Sequence, residues 1–209
     1  MRLFALLLAS ASFFLSSGVQ AQARELAPDA LVKSVTDEVL DIIRKDKDIK
    51  AGSTRRAIEL VEQKVLPHFN FSRMTALAVG RDWRQATPEQ QKALTEEFRD
   101  LLVRTYSNAL TAYKNETVDY RPFKMQPGET DVTVRTQIHQ SGARQPIKLD
   151  YSLERNGNAW KVYDVVVADV SLVTNYRSSF ATEIRNGGID GLVKTLKAKN
   201  ASLEANVKK

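Results

Sequence analysis

The stretch from Asp164 to Phe180, DVVVADVSLVTNYRSSF, changes from strand chemistry to helix chemistry around a short acidic turn. Val165, Val166 and Val167 are β-branched and suit a buried strand. Beyond Asp169, the apolar residues Leu172, Val173, Tyr176 and Phe180 recur at helical spacing. A chain written this way turns a corner and lays a helix against its own sheet.

The rest of the sequence divides around that corner. In the first half, Pro28 opens a helix whose stripe is Leu31, Val32, Val35, Val39, Ile42 and Ile43. A polar break from Asp46 to Ser53 follows, then a helix through Ala57, Ile58, Val61, Val65 and Leu66, stopped by Pro67. Phe69 to Val79 makes a short apolar helix that Gly80 ends. Thr87-Pro88-Glu89-Gln90 is a capping box with proline at the first helical position, and it starts a long helix that runs to about Tyr113.

The second half alternates with period two. Val132, Val134, Thr136 and Ile138 share one face, as do Ile147, Leu149, Tyr151 and Leu153 on the next strand. Ser141-Gly142 and Asn156-Gly157 sit at the hairpin turns. With strands at Thr117 to Phe123 and Ala159 to Ala168, four antiparallel strands are expected. The fold class is therefore α+β, with a helical N-terminal half packed on a curved sheet. This arrangement resembles the cone of the nuclear-transport-factor-like superfamily, a cystatin-like element that hosts enzymes and binders alike.

The N-terminus narrows the function. Arg2, an apolar run from Leu3 to Leu15 and the small residues of Ala21-Gln22-Ala23 form a secretory signal peptide over residues 1–23, cleaved before Arg24. Residues 24–209 then form a single domain. It has a helical part to about 115, a sheet with C-terminal helices to about 200 and a polar tail over 201–209. No later segment has the roughly 18–20 apolar residues a membrane span needs. The absence of cysteine excludes both lipidation at the cleavage site and disulfides. The net charge of +6 favours anionic partners such as membrane surfaces or acidic proteins, and no nucleic-acid recognition module is present.

Catalytic chemistry is poorly represented. His68 and His139 are the only histidines and fall in different halves, so no metal site is expected. There is no G-x-S-x-G elbow and no glycine-rich phosphate loop. Asp150 and Asp164 lie in or beside strands and are the carboxylates an enzyme of this superfold would use as base. What dominates is apolar surface, enough for a cavity between the helical half and the sheet that takes an apolar ligand.

The runs Val79-Gly80-Arg81-Asp82-Trp83-Arg84, Phe98 to Tyr106, Trp160 to Val165, Val170 to Phe180 and Gly187 to Leu192 resemble those of the MlaC family, also known as toluene-tolerance proteins. The resemblance covers nearly the whole mature chain, with one departure: Asp169 stands where the family commonly has glycine. It implies a non-enzymatic, monomeric periplasmic protein with no cofactor, whose ligand is a glycerophospholipid held in the cavity. It also implies exchange of that lipid between an outer-membrane lipoprotein–porin complex and an inner-membrane ABC transporter, the Mla pathway of outer-membrane lipid asymmetry.

On this reading the cavity wall is expected from Met74, Leu77 and Val79 on the short helix and from Phe98, Leu102 and Tyr106 on the long one. The sheet contributes Val134, Ile147, Leu149, Tyr151, Val165 and Val167, with Leu172 and Tyr176 closing the end. Arg73, Arg81 and Arg84 flank the short helix and are the expected docking charges for protein partners. Two rival readings use the same fold. One is a periplasmic enzyme acting on a small apolar substrate, and the other is an adaptor whose apolar groove takes a peptide helix.

Overall fold

The structure is a computed structural model that describes residues 26–140, 142 and 144–207. The expected signal peptide, Ser141 of the first hairpin turn, and Lys208-Lys209 at the end of the tail lie outside the described residues. Helix α1 (Pro28–Lys45) begins at the expected proline. Asp46 then caps the one-turn α2 (Lys47–Lys50), accepting from the backbone N–H of Asp48 and Ile49. Ser53 caps α3 (Thr54–Lys64) in the same manner. The polar break between the first two expected helices is thus a capped turn, and it buries Ile49 completely.

Helix α4 (Phe71–Val79) ends at Gly80, whose φ of 73° is the left-handed value that terminates a helix without Cβ strain. Helix α5 (Pro88–Tyr106) carries the full capping box, with Thr87 and Gln90 bonded reciprocally. It ends at Tyr106 rather than Tyr113. Asn108 starts the separate turn α6 (Asn108–Thr111), where its side chain accepts from Thr54 and its own carbonyl accepts from Thr111. Asparagine offers the backbone such local partners in place of the helical ladder, which is why the long helix breaks here.

The sheet has five strands in the order β1-β2-β3-β4-β5, all pairs antiparallel. Strands β1 (Thr117–Tyr120), β2 (Asp131–His139), β3 (Ile147–Asn156) and β4 (Ala159–Val167) are the four expected. The fifth, β5 (Val170–Ser171), occupies the place where the helix was expected to begin. Ala168 and Asp169 both have positive φ, 48° and 68°, so Val167 reverses directly onto Val170 through a two-residue turn. Asp169 therefore adopts the left-handed backbone that glycine takes most readily. A 3-10 turn, Thr174–Tyr176, follows, and the last helix α7 (Arg177–Val207) starts only there.

Helix α7 bends at Gly188 (φ 68°) and runs on through residues 201–207, read from the sequence as a polar tail. Leu203 packs on the helical core, and that contact makes the end helical.

One face of the sheet carries Val118, Thr136, Ile138, Leu149, Tyr151 and Leu153 in register. A bulge at Tyr163 shifts the alternation on β4, so Val162 faces this side before it and Val165 and Val167 after it. Val32 of α1 is buried against this face with Val132, Val134, Trp160 and Val162. A second core joins α4, α5 and α7, where Phe98 meets Tyr176 and Phe180 edge-on at 5.1 and 5.2 Å. The free edge of β4 is covered by Phe69-Asn70, whose Asn70 N–H donates to the Val162 carbonyl.

Because alanine pays a Cβ penalty at φ 48°, Ala168→Gly should stabilise the protein by about 0.5–1 kcal/mol. Thermal melting should then rise by about 1–4 °C. An unchanged or lower midpoint would show that the turn is not held left-handed.

Candidate functional site

The apolar elements do not close completely on one another. A cavity of about 240 Å³ lies between α1 and the inward face of the sheet, walled by Leu31, Val35, Val39, Leu40, Val118, Ile138, Leu149, Tyr151 and Val162. A second, of about 220 Å³, lies between α4, α5 and the β4–β5 corner, walled by Val61, Phe71, Met74, Leu102, Val103, Tyr106, Val165 and Leu172. Val39, Val65, Phe69 and Leu110 belong to both walls. The two cavities are therefore lobes on either side of one apolar partition.

The few polar groups on these walls are distinct in kind. The Ser107 hydroxyl, on the wall of the second lobe, is buried without a hydrogen-bond partner among the described residues. His68 stands on the wall of the first lobe. Burial and the nearby Lys161 ammonium hold its imidazole below the usual range, against a smaller opposing effect of Glu38. Tyr151 is pushed up to about 12 by burial, so its phenol stays neutral. Among the described residues no group of three or more His, Cys, Asp or Glu could hold a metal ion, and no helix is long and apolar enough to cross a membrane.

Of the wall residues expected from sequence, Met74, Leu102, Tyr106, Val165 and Leu172 line the second lobe, and Leu149 and Tyr151 line the first. The others line neither lobe. Val79, Phe98 and Val134 are sealed in the two cores, and Tyr176 is spent on the Phe98 edge contact. Ile147 and Val167 lie toward the opposite end of the sheet from Leu153 and on neither wall. Leu77 faces an outer groove with Arg73, Ala76, Trp83, Arg81, Arg84 and Arg177. The largest omission is α1 together with Val65, His68 and Phe69 in and around the 3-10 turn Leu66–His68. The α1 stripe was visible in the sequence, but periodicity alone does not distinguish a helix that packs tightly from one that stands off.

The three expected docking arginines differ. Arg73 lines the same outer groove as Arg81 and Arg84 but is engaged there: it pairs with Glu154, reaches Asp131 at 2.7 Å, and lies 3.6 Å from the Tyr163 ring centroid. Arg81 is 94% exposed, with Asp82 3.9 Å away, and Arg84 shares its groove. Each of the two carboxylates of the enzyme reading has a partner outside the lobes. Asp150 sits opposite Arg135 across β2 and β3, at 3.8 Å. Asp164 accepts from the Ser171 hydroxyl at 2.6 Å and the Val173 N–H at 3.3 Å. Neither lines a lobe.

The family model described as MlaC protein matches residues 33–198. The chain belongs to the MlaC family. It is 26% identical over 172 residues to the intermembrane phospholipid transport system binding protein MlaC of Haemophilus influenzae, covering 81% of this chain and 80% of that protein. To the toluene tolerance protein ttg2D of Pseudomonas putida it is 27% identical over 164 residues, 78% of this chain and 75% of that one. A solved phospholipid-binding protein from Ralstonia solanacearum, in complex with a phospholipid, superposes with a TM-score of 0.79 at 41% identity. That match covers 86% of this chain and 99% of the other.

The depressed His68 sets a pH dependence. The folded state holds fewer protons than the unfolded chain once the pH falls below about 6.5, so stability is lost toward acid. His68→Gln should flatten the fall in melting temperature between about pH 7 and pH 5. An identical slope in the variant would mean that His68 titrates as it does in the unfolded chain.

Proposed function

We propose that the mature chain is a soluble periplasmic carrier of glycerophospholipid, covering the acyl chains in the two lobes and leaving the head in water. The observation that carries this reading is the pair of apolar lobes meeting at Val39, Val65, Phe69 and Leu110. The phospholipid-bound relative of the same fold supports it, as does the leader expected from the sequence. The physical need is plain. Burying one CH₂ is worth about 0.8 kcal/mol, so two chains of about sixteen carbons stand to lose roughly 25 kcal/mol in water. A head left in solvent incurs no desolvation cost.

No chemical step belongs to this role, and the phospholipid is ligand rather than cofactor. The chain exchanges lipid, as a monomer, between an outer-membrane lipoprotein–porin complex and an inner-membrane ABC transporter. The intermembrane transport named for the Haemophilus influenzae relative supports that placement. The wall that meets the tails comprises Met74, Leu102, Tyr106, Leu149, Tyr151, Val165 and Leu172, together with the α1 residues and the shared partition.

Mass spectrometry of an organic extract of the purified protein should find phospholipid near one equivalent. Leu149→Asp and Leu102→Asp should each cut that occupancy severalfold in protein that still melts cooperatively, because each places a carboxylate on an apolar wall. Full occupancy in both would move the wall elsewhere. An empty extract from the parent, with turnover of a small apolar substrate, would reject the carrier.

Docking falls to Arg81 and Arg84 of the outer groove, where the Arg81 side chain is 94% exposed beside Asp82. Rim charges of this kind speed and orient encounters more than they tighten them. The double change Arg81→Glu, Arg84→Glu should leave bound lipid unaltered and slow its transfer to the membrane complexes, most strongly at low salt. Parental transfer rates at low ionic strength would remove this edge from the docking surface.

A further inference from the structure

A carrier must be held against its membrane complexes by some surface, and the assignment of the outer groove to that task rests on the carrier reading. The groove encloses about 480 Å³, and every charged residue on its wall is an arginine: Arg73, Arg81, Arg84 and Arg177. Leu77 and Trp83, half-buried against the helical core, form its floor. Arg81 and Arg84 are exposed and stand at its rim.

The four guanidiniums are not equivalent. Arg73 already donates to Glu154 and Asp131. Arg177 donates through Nε and Nη2 to the Leu77 carbonyl, at 3.1 and 2.8 Å. That closes the C-terminal end of α4 and leaves the other N–H groups of Arg177 for a further acceptor. Arg81 has a contact with Asp82 at 3.9 Å, too long for the bidentate pair that a guanidinium makes best. Arg81 and Arg84 lie three residues apart on the 3-10 turn Gly80–Gln85, so they share one side of it, about 6 Å apart.

An anionic membrane surface is one way to satisfy such charge. Segments that enter a membrane present apolar side chains outward, whereas Leu77 and Trp83 lie in a recess. The exposed large hydrophobic residues among those described, Leu26, Tyr106, Met125 and Val170, are all off the groove. A concave apolar floor ringed by arginine instead complements a protruding apolar side chain flanked by carboxylates. We infer that the outer groove takes an acidic segment of a membrane-bound protein partner. An apolar side chain of that segment sits on Leu77 and Trp83, and two carboxylates about 6 Å apart meet Arg81 and Arg84. Helix α4 stands between this segment and the lipid, for its Phe71 and Met74 line the second lobe while its Arg73 and Leu77 line the groove. The partner is thus seated one helix away from the tails it exchanges.

A photoreactive residue at Gln85, exposed at the end of the same turn, tests the assignment with all four arginines in place. The purified, lipid-loaded Gln85→p-benzoylphenylalanine protein is irradiated with envelope membranes of the source cells, and the adduct is digested and sequenced by mass spectrometry. It should map to a protein segment carrying paired Asp or Glu within about one helical turn of a bulky apolar residue. Its yield should fall at least about fivefold between about 20 mM and about 500 mM salt, and as far when Arg81→Glu and Arg84→Glu are added. An adduct with lipid alone, a protein segment without carboxylates, a salt-independent yield or no adduct at all overturns the assignment. Phospholipid in an organic extract of the same preparation would leave the carrier reading intact in that event. An extract without phospholipid rejects the carrier reading whatever the adduct shows.

Discussion

A single buried carboxylate joins the two halves of this protein. Asp164 is 9% exposed and accepts from the Ser171 hydroxyl and the Val173 N–H, while the Ser171 oxygen itself accepts from Val173 and Thr174. A charge left unpaired in this position would cost several kcal/mol, so the chain after β4 is held where its donors reach the carboxylate. That fixes the β4–β5 reversal, seats Val173 in the helical core with no exposure, and aims α7 at α5. Phe98, Tyr176 and Phe180 then close as an aromatic cluster.

The helical core sealed in this way stands beside the sheet and does not cover it. Helix α1 lies across the inward face, where Val32 is buried, with Phe69 and Leu172 packed on the same cluster. Farther along α1, Val39 and Ile43 turn to a separate cluster with Ile49 and Leu60. Between these three packed regions the apolar side chains have neighbours on one side only, and the lobes result. An interior packed to ordinary density would fill such space, so its persistence across two lobes is what an apolar ligand requires. Asp164 and Arg73 are engaged in the frame beside the lobes, through Ser171 and Val173 and through Glu154 and Asp131.

Much of this was legible from local chemistry. Pro28, Gly80, the Thr87–Gln90 box and the alternation on β2 and β3 each mark their element because the responsible forces act within a few residues. The corner was legible only in outline. Leu172 and Val173 fit a helical period, yet two consecutive left-handed residues turn the chain into a fifth strand first. No hydrophobic pattern encodes that reversal, and neither Ala168 nor Asp169 carries the glycine that would have announced it. The bulge at Tyr163 was equally silent, although it decides which valines of β4 face inward.

The sequence by itself determined the α+β class, the helix boundaries set by caps and breakers, the faces of β2 and β3 and, through its characteristic runs, the family. These follow from backbone sterics, capping and period, all of them short-range. Only the tertiary structure decided which apolar residues are spent on packing and which remain on a wall. Phe98 and Leu102 lie one turn apart on α5, yet one is sealed in the core and the other borders a lobe. That difference depends on the stand-off between elements far apart in sequence, which no local signal in the chain records.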